Sequence, residues 1–188
     1  MKKDKGRYGY RDSIRRMRLM ITVVLAAAIL AQLLARFLTD NQAAKNILTV
    51  MAILTVLPMA NMASPLLVSW RYRTPPEEFH QRVQSYEAAC LILYDLILTT
   101  KEYVIPVDVI AIHPRGIYAY CTAKKLDIAK AEKSLNALLL ANRLERKIKL
   151  ICEEKNFWRR LESLKPADFA ADDGTAEYAA SLLKSFSM

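Results

Sequence analysis

Cys121 and His113 flank a Pro114-Arg115-Gly116 turn. A thiol beside an imidazole is the pairing that makes a thiolate nucleophile. Cys121 sits in the apolar run IYAYCT, however, where a buried core thiol is the reading the context favours. The other cysteines, Cys90 and Cys152, lie 31 residues to either side, so no CxxC pair or zinc-ligand cluster forms in sequence. Three cysteines cannot all pair within one chain, and free thiols fit a reducing compartment. There is no Gly-rich phosphate loop, no GxSxG elbow and no HExxH motif. Asp108 stands in the β-branched run VIPVDVIAI, where its plain role is a strand-edge carboxylate bonded to a backbone amide or to Tyr103. Lys124, Lys125, Lys130 and Lys133 make a basic edge, read first as a solvated face. Anionic lipid headgroups or nucleic acid are the ligands such an edge would take.

The elements that hold these residues follow from apolar spacing. Thr74-Pro75-Pro76-Glu77-Glu78 is a helix start, and Phe79, Val83, Tyr86, Cys90 and Leu93 recur at helical spacing, predicting a helix over about 76–92. A strand is expected from about Tyr94 to Thr99, a second over Val104–Ile112, and a third over Ile117–Thr122, antiparallel to the second across the short turn. Asp127 caps a predicted helix from Ile128 to about Lys147; Ile148–Cys152 is a fourth strand, parallel to one of the first three. A short helix over 156–164, stopped by Pro166, the Asp172-Asp173-Gly174 loop and a last helix from Thr175 complete the chain. The fold class is therefore a small α/β (α+β) domain of order α-β-β-β-α-β plus C-terminal helices, placed at 71–165, with a loop and helix over 166–188.

Ahead of it lie two long uncharged runs. LMITVVLAAAILAQLLA covers Leu19–Ala35, and NILTVMAILTVLPMANMASPLLVSW covers Asn46–Trp70. At a rise of about 1.5 Å per residue, some 20 residues cross a hydrocarbon core. The sequence thus predicts a two-helix transmembrane hairpin over 19–70, with helices at about 19–38 and 46–70 and a linker from Thr39 to Lys45. Gln32 and Asn61 are its interhelical polar candidates, with Gln32 expected near the Thr49–Thr55 turns. No ionisable residue lies inside either run, which argues against a transport pathway through the hairpin itself.

Charge then gives an orientation. Residues 1–18 carry eight Lys/Arg against Asp4 and Asp12, a net +6, whereas residues 71–188 carry 18 Lys/Arg against 16 Asp/Glu, a net +2. A nucleic-acid-binding domain would concentrate its basic excess on the folded part. Here the excess abuts the apolar runs, so residues 1–18 read as a basic cytoplasmic arm, and nucleic acid is the weaker partner. Arg15, Arg16, Arg18, Arg36, Trp70, Arg71 and Arg73 read as membrane-interface anchors on anionic headgroups. By the positive-inside rule both termini lie in the cytoplasm of a multi-pass cell-membrane protein.

The segment Tyr94–Lys124, YDLILTTKEYVIPVDVIAIHPRGIYAYCTAK, resembles the nuclease-related domain (NERD) family, a reduced restriction-endonuclease core of order α-β-β-β-α-β. Asp108 falls on that family's Asp, Pro114 and Gly116 on its turn, and Ile117-Tyr118-Ala119-Tyr120 on its third strand. The resemblance implies Mg²⁺ held by an Asp and a Glu, with a Lys beside the attacked phosphate. Counted from Asp108, the Glu position falls on Cys121 and the Lys position on Ala123; Lys124 comes one residue late. Asp95 is the remaining carboxylate candidate. The function expected is therefore a membrane-anchored interaction or regulatory module with an inactive nuclease-like fold and no cofactor, acting on an unidentified protein partner or a second copy of itself. The alternatives are a membrane-tethered, Mg²⁺-dependent nuclease using Asp108 and a subunit of a channel or transporter assembly.

Overall fold

The computed structural model describes residues 4–123, 126–164 and 174–188. Among these, six helices and one four-stranded sheet make a mixed α/β chain: α1 (Tyr10–Leu38), α2 (Gln42–Ser69), α3 (Glu77–Gln84), β1 (Leu91–Thr99), β2 (Val104–His113), β3 (Gly116–Tyr120), α4 (Ile128–Ala141), β4 (Ile148–Ile151), α5 (Glu154–Glu162) and α6 (Thr175–Ser185). The chain divides into two compact units. Among the described residues, one holds Asp12 to Tyr72; the other joins residues 4–11 with those from Arg73 onward.

In the second unit the sheet order is β1-β2-β3-β4, with β1/β2 and β2/β3 antiparallel and β3/β4 parallel. The α4 crossover supplies the parallel return that a tight turn cannot make. Both faces are covered, which is why β1 and β2 are apolar almost throughout. Leu135 and Leu139 of α4 and Ala179 and Leu183 of α6 pack with Leu96, Ile110 and Ile148 on one face. Val83 of α3 and Phe157, Trp158 and Leu161 of α5 pack with Tyr94, Val109 and Tyr120 on the other. The C-terminal helix therefore belongs to the same core as the sheet, rather than to the separate 166–188 segment expected from sequence.

Alternation reverses at one place. Tyr94 and Val109 are opposite each other and belong to the α3/α5 face, whereas the next pair, Leu96 and Val107, belongs to the α4/α6 face. Between them lie Asp95 and Asp108, at a step where the ladder register is interrupted. Asp95 takes a left-handed φ of 57°, a conformation Asp tolerates better than most residues. The reversal thus brings two carboxylates within electrostatic reach of each other at one break in an apolar ladder.

The outer edge of β1 is covered at two points. Gly6 bridges Tyr94 and Ser187 bridges Leu98, both antiparallel. Gly6 has φ 88°, and a Cβ there would stand 2.9 Å from Lys184 Cε and 3.1 Å from Leu93 Cδ2. Lys5 Nζ donates to Ser187 O at 2.6 Å, and Tyr8 Oη donates to Pro75 O at 2.8 Å. Residues 4–11 are thus a strap on the α/β unit, not a free arm: edge pairing uses backbone groups that a strand edge otherwise leaves open. Two helices also stop early. α3 ends at Gln84 because the run from Leu91 pairs with β2 from its first residue. α4 ends at Ala141, where the Asn142 side chain donates to Leu138 O at 2.8 Å and Arg143 turns to φ 60°.

In the first unit, α1 begins within the basic segment rather than at Leu19, since Asp12 and Arg15 pair at 3.3 Å across one turn and no breaker intervenes. α2 starts at Gln42, with three residues between it and the end of α1, and the Asn41 side chain accepts from Ala43 N at 2.9 Å. Pro58 and Pro65 lie inside α2 without ending it. Both helices are long and apolar enough to cross a membrane. Their apolar side chains stand open: Phe37 is 82% exposed and Leu67 is 74% exposed.

Candidate carboxylate site and cleft

The Asp95–Asp108 pair is the chemical centre of the α/β unit. Like charges opposite each other in a ladder repel, and burial removes the water that would screen them. The strap supplies the answer. Arg11 reaches in and its Nη1 donates to Asp108 Oδ1 at 2.5 Å, with side-chain exposures of only 3% and 4%. Nη1 also donates to Arg73 O at 3.1 Å; Nη2 donates to Leu96 O at 2.9 Å and Val107 O at 2.6 Å. Asp108 Oδ2 accepts from the Thr122 hydroxyl at 2.8 Å. Asp108 is thus bonded to a guanidinium and a hydroxyl, not to a backbone amide or to Tyr103 as its strand position suggested.

Asp95 Oδ2 accepts from Gly9 N at 2.6 Å and from the Thr74 hydroxyl at 2.9 Å. Its Oδ1 is buried with no hydrogen-bond partner among the described residues, and so is Arg11 Nε. Burial pushes the Asp95 carboxyl above its ordinary value; the Arg11 charge and the two hydrogen bonds oppose this without cancelling it. Three of the sequence candidates fall out differently. Asp95 and Asp108 are brought together, and Lys124 lies outside the described residues, as does Pro166. Cys121 is fully buried in the α4/α6 core, where burial pushes its thiol up to about 11. His113 sits at the turn opposite Gly116, five residues along β2 from Asp108, with its Nδ1 accepting from Arg115 N at 3.1 Å. At about 3.3 Å per residue that puts a wide gap between imidazole and thiol, so the Cys–His pairing is not formed.

This arrangement tests the fit of a restriction-type Mg²⁺ site. Asp108 spends both oxygens on protein donors. Cys121 at the Glu position faces the opposite side of the sheet from the cleft that Asp108 and Thr122 line, and Ala123 packs against that same α4/α6 core. The residues do not fit the metal-dependent hydrolytic set.

Above Thr122 opens a cleft of about 540 Å³ lined by Arg73, Glu78, Phe79, Arg82, Tyr120, Glu154 and Trp158 as well as Asp108. Its floor is aromatic: Phe79 stacks on Tyr120 with centroids 5.3 Å apart and meets Trp158 at 5.2 Å. Its rim is charged and self-paired. Arg82 lies 4.1 Å over the Trp158 ring, and Trp158 Nε1 donates to Glu154 Oε1 at 2.9 Å. Sequence reasoning missed Arg11 altogether. Gly6 and Gly9, half of the chain's four glycines, crowd the segment before it and were the available sign of a folded strap.

In the helical unit, Arg15 lies 5.8 Å over the Trp70 ring, which brings the base of α1 to the end of α2. Arg16, Arg36, Arg71 and Trp70 are exposed and Arg18 is partly so. Arg73 belongs to the α/β unit and lines the cleft. Gln32 Oε1 is buried without a hydrogen-bond partner among the described residues, and Asn61 is exposed. The Thr49 and Thr55 hydroxyls donate to Lys45 O and Met51 O of their own helix. Compared with protein-family models, with curated proteins and with solved structures, the chain matches none.

Proposed function

We propose that the chain is a membrane-anchored interaction module whose nuclease-like α/β unit binds a partner in its cleft and does not cut nucleic acid. The observation that carries this reading is the Arg11–Asp108 pair. A carboxylate closed by a guanidinium at 2.5 Å and a hydroxyl at 2.8 Å has no open oxygen for a catalytic cation. The aromatic floor and charged rim of the neighbouring cleft suit recognition: aromatic and Arg side chains are the usual anchors of protein contacts.

The membrane part of the reading rests on α1 and α2. Helices with this much open apolar surface need lipid or a partner around them. The Arg15–Trp70 contact supports their return as a hairpin. The basic excess of residues 1–18 supports both termini on the cytoplasmic side, with anionic headgroups at Arg16, Arg18, Arg36 and Arg71.

A tethered nuclease is the second reading, favoured by one observation: Asp108 lines an open cleft together with Glu78 and Glu154. The two are separated by incubating the full-length chain in lipid nanodiscs with labelled DNA and RNA and either Mg²⁺ or Mn²⁺. No cleavage above an Asp108→Asn control is expected. Metal-dependent cleavage that the Asp108→Asn variant loses would overturn the binding reading.

A further inference from the structure

α2 has two unlike sides. Ala52 and Leu66 are buried on one of them, with Thr55, Met59 and Met62 half-buried beside them. On the other, Val50, Leu54, Leu57, Asn61, Ser64 and Val68 are all exposed and form one continuous stripe. Their alternating steps of four and three residues are the heptad spacing by which a helix presents a seam to a partner helix.

Two members of the stripe are polar, and neither is satisfied. The Thr49, Thr55 and Ser69 hydroxyls of the same helix each donate to a carbonyl of the preceding turn. The Ser64 hydroxyl and the Asn61 carboxamide make no hydrogen bond among the described residues. Pro65 has no N–H, so the Asn61 carbonyl also lacks the donor that a helix supplies four residues on. With Trp70 at the interface, the nine residues from Asn61 to Trp70 reach about 14 Å at ~1.5 Å each, deep in a hydrocarbon core of about 30 Å. Lipid tails offer no hydrogen bond there, so these groups need a protein partner.

The chemistry of the stripe names that partner. A carboxamide is complementary to itself in charge: its NH₂ end donates and its oxygen accepts. Copies of one chain inserted in the same direction hold Asn61 at the same depth. A pair related by a two-fold axis along the membrane normal therefore sets Asn61 against Asn61 and Leu57 against Leu57. One Asn at an inward position of an apolar heptad is a known device for fixing register between parallel helices.

We infer that α2 pairs with α2 of a second copy of the chain through Leu54, Leu57, Asn61 and Ser64, held in register by a hydrogen bond between the two Asn61 carboxamides. The inference rests on the reading that α1 and α2 reside in lipid; it is independent of the cleft on the α/β unit.

The test uses the full-length chain in phosphatidylcholine–phosphatidylglycerol vesicles, with one cysteine introduced on α2, floated with the lipid and then oxidised. Wild type, whose Cys90, Cys121 and Cys152 all stand in the α/β unit, gives the background. Leu57→Cys should form a disulfide-linked dimer that persists as lipid is added. Val56→Cys, exposed but off the stripe, should not. Adding Asn61→Leu, which keeps the helix apolar and removes the carboxamide, should weaken the apparent dimer affinity about tenfold, a difference of ~1.4 kcal/mol. Flotation scores the lipid reading by itself: a chain that does not float overturns that reading and the pairing together. A chain that floats, but whose Leu57→Cys dimer does not exceed the wild-type background, overturns the pairing alone. So do equal crosslinking at Val56→Cys and Leu57→Cys, an Asn61→Leu change without effect, and Leu57→Cys crosslinks in cell membranes that join only a different protein.

Discussion

Arg11 decides what Asp108 can do, because a buried carboxylate needs a cation and this one has it in the chain itself. Removing one partner of a buried pair leaves the other charge stranded, so Arg11→Ala should cost about 3–5 kcal/mol in urea unfolding of the α/β unit. Thr122→Val removes only the hydroxyl donor and should cost about 1–3 kcal/mol. Asp95 gives a pH signature. Its folded-state value is raised by burial, with a smaller push from the neighbouring Asp108 charge, against Arg11, Thr74 and Gly9. A raised carboxyl contributes stability that is complete below its ordinary value of 3.8 and is lost as pH rises through the raised value. Asp95→Asn should therefore flatten the change in Tm on going from acid to neutral pH; an unchanged slope would contradict the assignment. Asp108 was legible as the central residue, because a lone carboxylate in VIPVDVIAI has few places to go. Its partner was not, since a basic residue shortly before an apolar run looks the same whether it faces headgroups or a buried acid.

The elements were legible where one period dominates. VIPVDVIAI reads as a strand and ILAQLLARFL as helix because each pattern has a single solution. The β1 segment LILYDLILT starts three residues earlier than its pattern suggests for a physical reason: a strand apolar on both faces has no alternation to betray its start. The same apolarity hid the face reversal at Asp95–Asp108. The strap over the β1 edge was hidden too, since its contacts are backbone bonds and a close approach at Gly6. That approach is testable. Gly6→Ala puts a Cβ into Leu93 and Lys184 at an unfavourable φ, so it should loosen residues 4–9 and speed amide exchange at Tyr94 N, which donates to Gly6 O at 2.9 Å. On the other face Phe157 is fully buried against Tyr120 with centroids 5.2 Å apart, and Phe157→Ala should cost about 3–5 kcal/mol by thermal unfolding.

For the whole molecule, two facts bear on where the protein works. α1 and α2 carry open apolar side chains along most of their length, and the α/β unit is built from both ends of the chain, residues up to Arg11 and from Arg73 on. A fragment cut at residue 71 would strip Arg11 from Asp108, so activity measured on it would not be that of the intact protein. The composition announced the two helices plainly; it did not announce that the residues ahead of the first helix, with that helix's first two, complete the sheet unit behind the second. The claim on which the larger account stands is that α1 and α2 reside in lipid. Alkaline carbonate extraction of membranes holding the full-length chain, followed by flotation, tests it directly. Retention with the lipid after extraction is the predicted result. Release as a water-soluble chain that stays monomeric without detergent would contradict it.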